Sequence, residues 1–177
     1  MTLARSLVFL SLLLCAAPQA LADDQADAAS PEPVHVQGVQ ILEYGTYTSD
    51  IEYFMRDDGV VDHNKIIASN FVLVEATDQV QADLDTGFGV RYVVLGQPEG
   101  APVQLDVVVD HPPLTNPQTG EAYTQSKADF TRIIGRPEYT VWTFDQGWSL
   151  APGVWTIRLE YQGRELARKE FTVTLAP

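Results

Sequence analysis

The chain has 177 residues and a formal net charge of −13, from 24 Asp and Glu against 11 Lys and Arg, with a single Cys. That length fits one domain, and 45% apolar residues are enough for a real core. So acidic a chain has the wrong sign for a phosphate backbone or an anionic lipid surface, so no nucleic acid or membrane partner is expected.

Arg5 precedes an apolar stretch from Leu7 to Leu14, and Ala20-Leu21-Ala22 forms a small-x-small site. This predicts a secretory signal peptide over residues 1–22, cleaved after Ala22 and too short for an ordinary membrane span. A lipoprotein site at Cys15 is the rival, but Leu14 stands where a small residue is usual. Cleavage after Ala22 leaves no Cys, which excludes disulfides, thiolate metal ligands and a Cys nucleophile. The expected location is periplasmic or secreted. Residues 23–33, DDQADAASPEP, have almost nothing to bury and read as a disordered acidic tether.

The domain is expected over residues 34–177. Residues 34–47 read as a long first strand, expected at a sheet edge where a partner could add a strand. Residues 48–65 read as a long loop holding Tyr53 and Phe54, then Asp57, Asp58, Asp62 and Asn64. Residues 71–74 are apolar on both faces and predict a central strand. Phe88, Val90, Tyr92 and Val94 alternate with their neighbours, as do Val103, Leu105, Val107 and Val109; each set predicts a strand with one buried face.

A second long loop is read over residues 111–127, opening on His111-Pro112-Pro113, with residues 122–130 a weaker strand candidate. Residues 139–144 predict another strand. Trp155, Ile157, Leu159 and Tyr161 alternate, Gly163 makes a turn, and Phe171, Val173 and Leu175 alternate again, so the chain closes on a β-hairpin. No stretch carries an apolar stripe at helical spacing. About eight short strands with turn residues between them predict an all-β, antiparallel, immunoglobulin-like sandwich, with a barrel as the alternative.

Several of these segments carry recognisable words: Glu43-Tyr44-Gly45-Thr46-Tyr47, Gly87-Phe88-Gly89-Val90-Arg91-Tyr92, His111-Pro112-Pro113-Leu114 and Pro152-Gly153-Val154-Trp155. Together they resemble a bacterial family known only as a domain of unknown function. The resemblance spans roughly residues 36–175. It implies an exported, immunoglobulin-like β-sandwich, and it implies no catalytic residues.

No motif for a cofactor is present: there is no dinucleotide fingerprint, no phosphate-binding Lys loop and no His-Glu-x-x-His. Gly147-Trp148-Ser149-Leu150-Ala151 lacks the last Gly of a nucleophile elbow and is followed by Pro-Gly. A three-His metal site would need His35, His63 and His111 to converge, which their spacing does not favour. Asp57, Asp58 and Asp62 form an oxygen-rich cluster able to offer calcium ligands, against the plainer reading of a solvated turn. His111, Trp148 and Tyr53 are the candidate contact residues. Trp142 and Trp155 share strand faces with apolar residues and are expected in the core. The expected function is a non-enzymatic binding or structural module acting through protein contacts in the cell envelope, with a calcium- or glycan-binding domain as the alternative.

Overall fold

Period-2 alternation of β-branched and aromatic residues dominates the folded chain, and among the described residues it resolves into nine strands. The computed structural model describes residues 33–61 and 63–175, so the leader and nearly all of the tether lie outside the described residues, as does Asp62. The strands are β1 (His35–Arg56), β2 (Asn64–Glu75), β3 (Gln79–Ala82), β4 (Gly87–Gln97), β5 (Pro102–Thr115), β6 (Ala122–Ile133), β7 (Pro137–Thr143), β8 (Gly153–Tyr161) and β9 (Arg164–Leu175). A single 3₁₀ turn spans Gly147–Ser149. No helix among the described residues is long and apolar enough to cross a membrane.

The strands form two sheets, one ordered β2-β1-β4-β7 and the other β3-β9-β8-β5-β6. The inner faces are those the alternation predicts. Phe88, Val90, Tyr92 and Val94 are buried on β4, Val103, Leu105, Val107 and Val109 on β5, and Trp155, Ile157 and Leu159 on β8. Phe88 is the hub of an aromatic cluster, with ring centroids 5.0 Å from Phe171, 5.5 Å from Phe144 and 5.7 Å from Trp155. The Trp155 indole donates to the Ala151 carbonyl at 3.0 Å, so the deepest ring has its one polar atom satisfied. The β8–β9 hairpin turns on Gln162 and Gly163, both at positive φ, which glycine tolerates best.

Four expectations need correcting. Residues 48–65 are not a loop: β1 runs on to Arg56 and β2 begins at Asn64, so only a short turn separates them. Residues 111–127 are likewise mostly strand. His111-Pro112-Pro113 lies inside β5, at an irregularity between Asp110 and Leu114 where the ladder to β6 is interrupted. Two prolines without N–H groups are tolerated there because no partner needs a donor. Residues 71–74 belong to an edge strand, not a central one, and Val72 and Val74 are among the most exposed apolar side chains. The four-residue β3, paired parallel with β9, was not expected at all.

The first strand is half as predicted. In strand order β1 lies between β2 and β4, but its pairings are staggered. His35 to Tyr47 pairs with β4, and Thr46 to Arg56 pairs with β2. Each half therefore has one neighbour and one open edge among the described residues. Beyond Tyr47 the chain leaves the body of its sheet, and with β2 it forms a two-stranded arm.

Candidate functional site

The arm is held to the sandwich at its turn. Asp57 Oδ1 accepts the Gly59 N–H at 3.0 Å, a short-range bond that shapes the turn. The Gly59 carbonyl accepts the Lys127 N–H of β6 at 2.7 Å. Only glycine allows this approach, because a Cβ there would lie 2.1 Å from the Lys127 carbonyl oxygen. Val61 is 1% exposed, with its N–H bonded to Ser126 Oγ at 3.2 Å and its carbonyl to Asn116 Nδ2 at 3.0 Å. Ser126 and Asn116 are themselves buried.

His111 completes this latch from inside. Its Nδ1 is 2.9 Å from the Pro112 carbonyl, which can only accept, so the proton sits on Nδ1. Nε2 then accepts from Ser126 Oγ at 3.3 Å, the same hydroxyl that receives the Val61 N–H. Burial holds His111 below the ordinary imidazole value, against the Pro112 bond and the Asp110 charge, which both act to raise it. The ring packs against both Trp142 and Trp155, at 5.7 and 5.1 Å, and the two indoles also touch each other at 5.1 Å. Ser126 and His111 resemble a nucleophile–base pair only in kind. Among the described residues no carboxylate bonds the imidazole, and the hydroxyl also accepts the Val61 N–H.

Between β2 and strands β5, β6 and β7 lies a cavity of about 260 Å3. Ile66, Ala68 and Phe71 come from β2, Val107 and Val109 from β5, and Thr140 and Trp142 from β7. Phe71 stacks on Tyr139 of β7 at 4.8 Å and closes one side. Arg132 donates to the Tyr92 hydroxyl at 2.8 Å and to the Tyr139 carbonyl at 3.3 Å. Arg132 and Lys65 both lie over the Phe130 ring, at 4.4 and 3.9 Å, and all three side chains line the cavity.

The outer strand of the arm presents a different surface. Ile51, Tyr53, Phe54 and Met55 are 43–54% exposed, and successive residues point to opposite faces of the strand. On the side away from β2, residues 48–56 have no strand neighbour among the described residues. An open backbone edge flanked by large apolar groups is a ready template for another strand.

The predicted site residues are dispersed. Tyr53 lies on the exposed arm. Trp148 is half-buried in the 3₁₀ turn and lines the cavity. His111 is 6% exposed, so it is a part of the core and offers no surface contact. Trp155 is core as expected, whereas Trp142 is partly buried and faces the cavity. Asp57 is turned to the Gly59 N–H, and Asp58 pairs with Arg56 at 2.8 Å, so both carboxylates are engaged locally. Asp62 lies outside the described residues. His35 sits at the start of β1 and His63 in the turn, on different elements from His111. The cavity, with Thr140 and Arg132, was not singled out from sequence.

Two packed sheets with an aromatic core and a closing hairpin define an immunoglobulin-like β-sandwich. A crystal structure of an immunoglobulin-like protein from Pseudomonas aeruginosa is similar to the chain, with a TM-score of 0.55 and 23% identity, over 80% of this chain and 97% of that one. The likeness at that identity is one of fold. The model of a family described as a domain of unknown function, DUF3859, matches residues 35–173, and the chain belongs to that family. No curated protein gives a significant match.

Proposed function

We propose that the protein is an exported, non-enzymatic binding module that docks an extended segment of a protein partner in the cell envelope. The observation that carries this reading is the outer edge of the arm, where Ile51, Tyr53, Phe54 and Met55 stand exposed beside an unpaired backbone. A partner strand added there would satisfy those N–H and C=O groups and cover the apolar side chains, the mode known as β-augmentation. The candidate edge thus moves from residues 34–47 to residues 48–56, where the exposed apolar groups are densest. Export rests on the leader pattern of residues 1–22 and places the protein in the periplasm or outside the cell. The glycan alternative has weaker support, since Tyr53 and Phe54 face opposite ways and Trp148 belongs to the cavity, so they share no stacking platform.

Photocrosslinking tests the reading directly. A photoreactive amino acid in place of Tyr53, in cells that make the protein, is expected to yield a discrete protein adduct. The same probe at Gln104, exposed on β5, is the control. Equal adducts from both positions, or none from Tyr53, would overturn the proposal.

A further inference from the structure

The outer edge of the arm has a sequence that can pair with itself. Residues 48–56 carry two acids, Asp50 and Glu52, and one base, Arg56, a net charge of −1 on a chain of −13. This strip therefore adds little to the repulsion between two copies of so acidic a protein. Against β2 the register shifts between Thr48 and Asp50 and between Ile51 and Tyr53, and from Tyr53 to Arg56 it runs without a break. Tyr53, Phe54 and Met55 are 46–54% exposed, so the regular end of the strand is also where apolar surface is bare.

A two-fold axis through Phe54 makes this strand its own antiparallel partner. Phe54 then faces Phe54 of the second copy, Tyr53 faces Met55, and Glu52 faces Arg56, the last two pairs each occurring twice. Each pair is favourable: ring on ring, thioether on ring, acid on base. Glu52, the residue that the register to β2 skips, has no ion pair among the described residues. Arg56 reaches Asp58 at 2.8 Å, but those side chains are 77% and 72% exposed, so the guanidinium is open to a second acid. An axis moved to Tyr53 would set each Glu52 against a Phe54 ring and leave it without a base. The arm gains as well. A two-stranded ribbon is marginal alone, and joining two arms gives a four-stranded sheet in the order β2-β1-β1-β2, with the N–H and C=O groups of both open edges paired.

We propose that the protein forms a two-fold homodimer by antiparallel pairing of residues 52–56 of β1 with the same residues of a second copy. This names the partner of the docking edge and rests on that reading of it. The interface is short, so the dimer is weak, with a Kd on the order of 10 μM.

Sedimentation equilibrium of the purified protein across the micromolar range is the test, and reversible monomer–dimer exchange is expected. Glu52→Arg and Arg56→Glu are each expected to weaken the dimer about ten-fold or more, because like charges then face each other twice. An equimolar mixture of the two variants is expected to pair with near-parental affinity, since every Arg then meets a Glu. Both positions are exposed, so the melting temperatures are expected to stay at the parental value. Single variants that dimerise as well as the parent, or a mixture that stays monomeric, would overturn the proposed pairing. A protein that is monomeric throughout, while a photoreactive residue at position 53 still captures a different protein, would overturn the second copy and leave the docking reading standing. A monomer that gives no adduct at all would overturn both.

Discussion

The two halves of β1 meet opposite fates. His35 to Tyr47 pairs with β4 as part of the sandwich body, where Phe88, Trp155 and Phe144 are fully buried. Beyond Tyr47 the same strand has β2 as its one neighbour, and Tyr53 and Phe54 are more than half exposed. The body therefore carries most of the hydrophobic stabilisation, and the arm is fixed by the buried Val61, the Phe71–Tyr139 stack and a few polar contacts at its turn. The exposed apolar groups of its outer strand add little to the fold and remain free for another role, which is why the arm holds the proposed docking edge.

This contrast can be broken from either side. Phe88→Ala, in the aromatic hub of the body, is expected to cost ~3–5 kcal/mol in urea unfolding, as large-to-small core changes do. Asn116→Ala removes the bond to the Val61 carbonyl and the one that Asn116 Oδ1 accepts from the Gln118 N–H at 2.8 Å. It is expected to cost ~1–3 kcal/mol and to speed hydrogen exchange in the turn at residues 57–63 more than in β8. A body-wide rise in exchange would argue that the arm is integral to the core.

Acidification acts on the latch next. His111 is depressed by burial below its reference value of 6.5, so the unfolded chain takes up the proton first. Stability is then expected to be lost as pH falls below about 6.5, and protonation of Nε2 removes the acceptor for Ser126. Urea midpoints between pH 7.5 and pH 5.5 give the slope, and His111→Asn is expected to flatten it. Smallest of all, Tyr53→Asp and Phe54→Asp, singly, are expected to change stability by no more than ~0.5 kcal/mol, because exposed positions contribute little to the fold.

The body was legible in the sequence because its strands alternate cleanly. β4, β5 and β8 each put a four- or three-residue apolar set at strict period two on the core face, bounded by Gly or Pro, and Gln162-Gly163 marks the closing turn. The arm was not legible because its strands break that rule: residues 51–55 and 71–74 place apolar groups on both faces, which in a sequence reads as loop or as buried strand. His111 was mistaken for a loop residue because two prolines follow it, although β5 continues through them at an irregularity. β3 is too short to show a period. The cavity is built from β2, β5, β6 and β7, far apart in the chain, and Thr140 and Trp142 look like ordinary strand positions until the arm is seen to cover them.

The separation of fold from binding is tested most directly by the double variant Tyr53→Asp, Phe54→Asp. Its melting temperature and its yield of partner adduct should be measured together, with the photoreactive residue moved to Met55. The melting temperature is expected to match the parent protein while the adduct disappears. An adduct retained at full yield, or a collapse of the melting temperature, would contradict the assignment of the arm edge to partner docking.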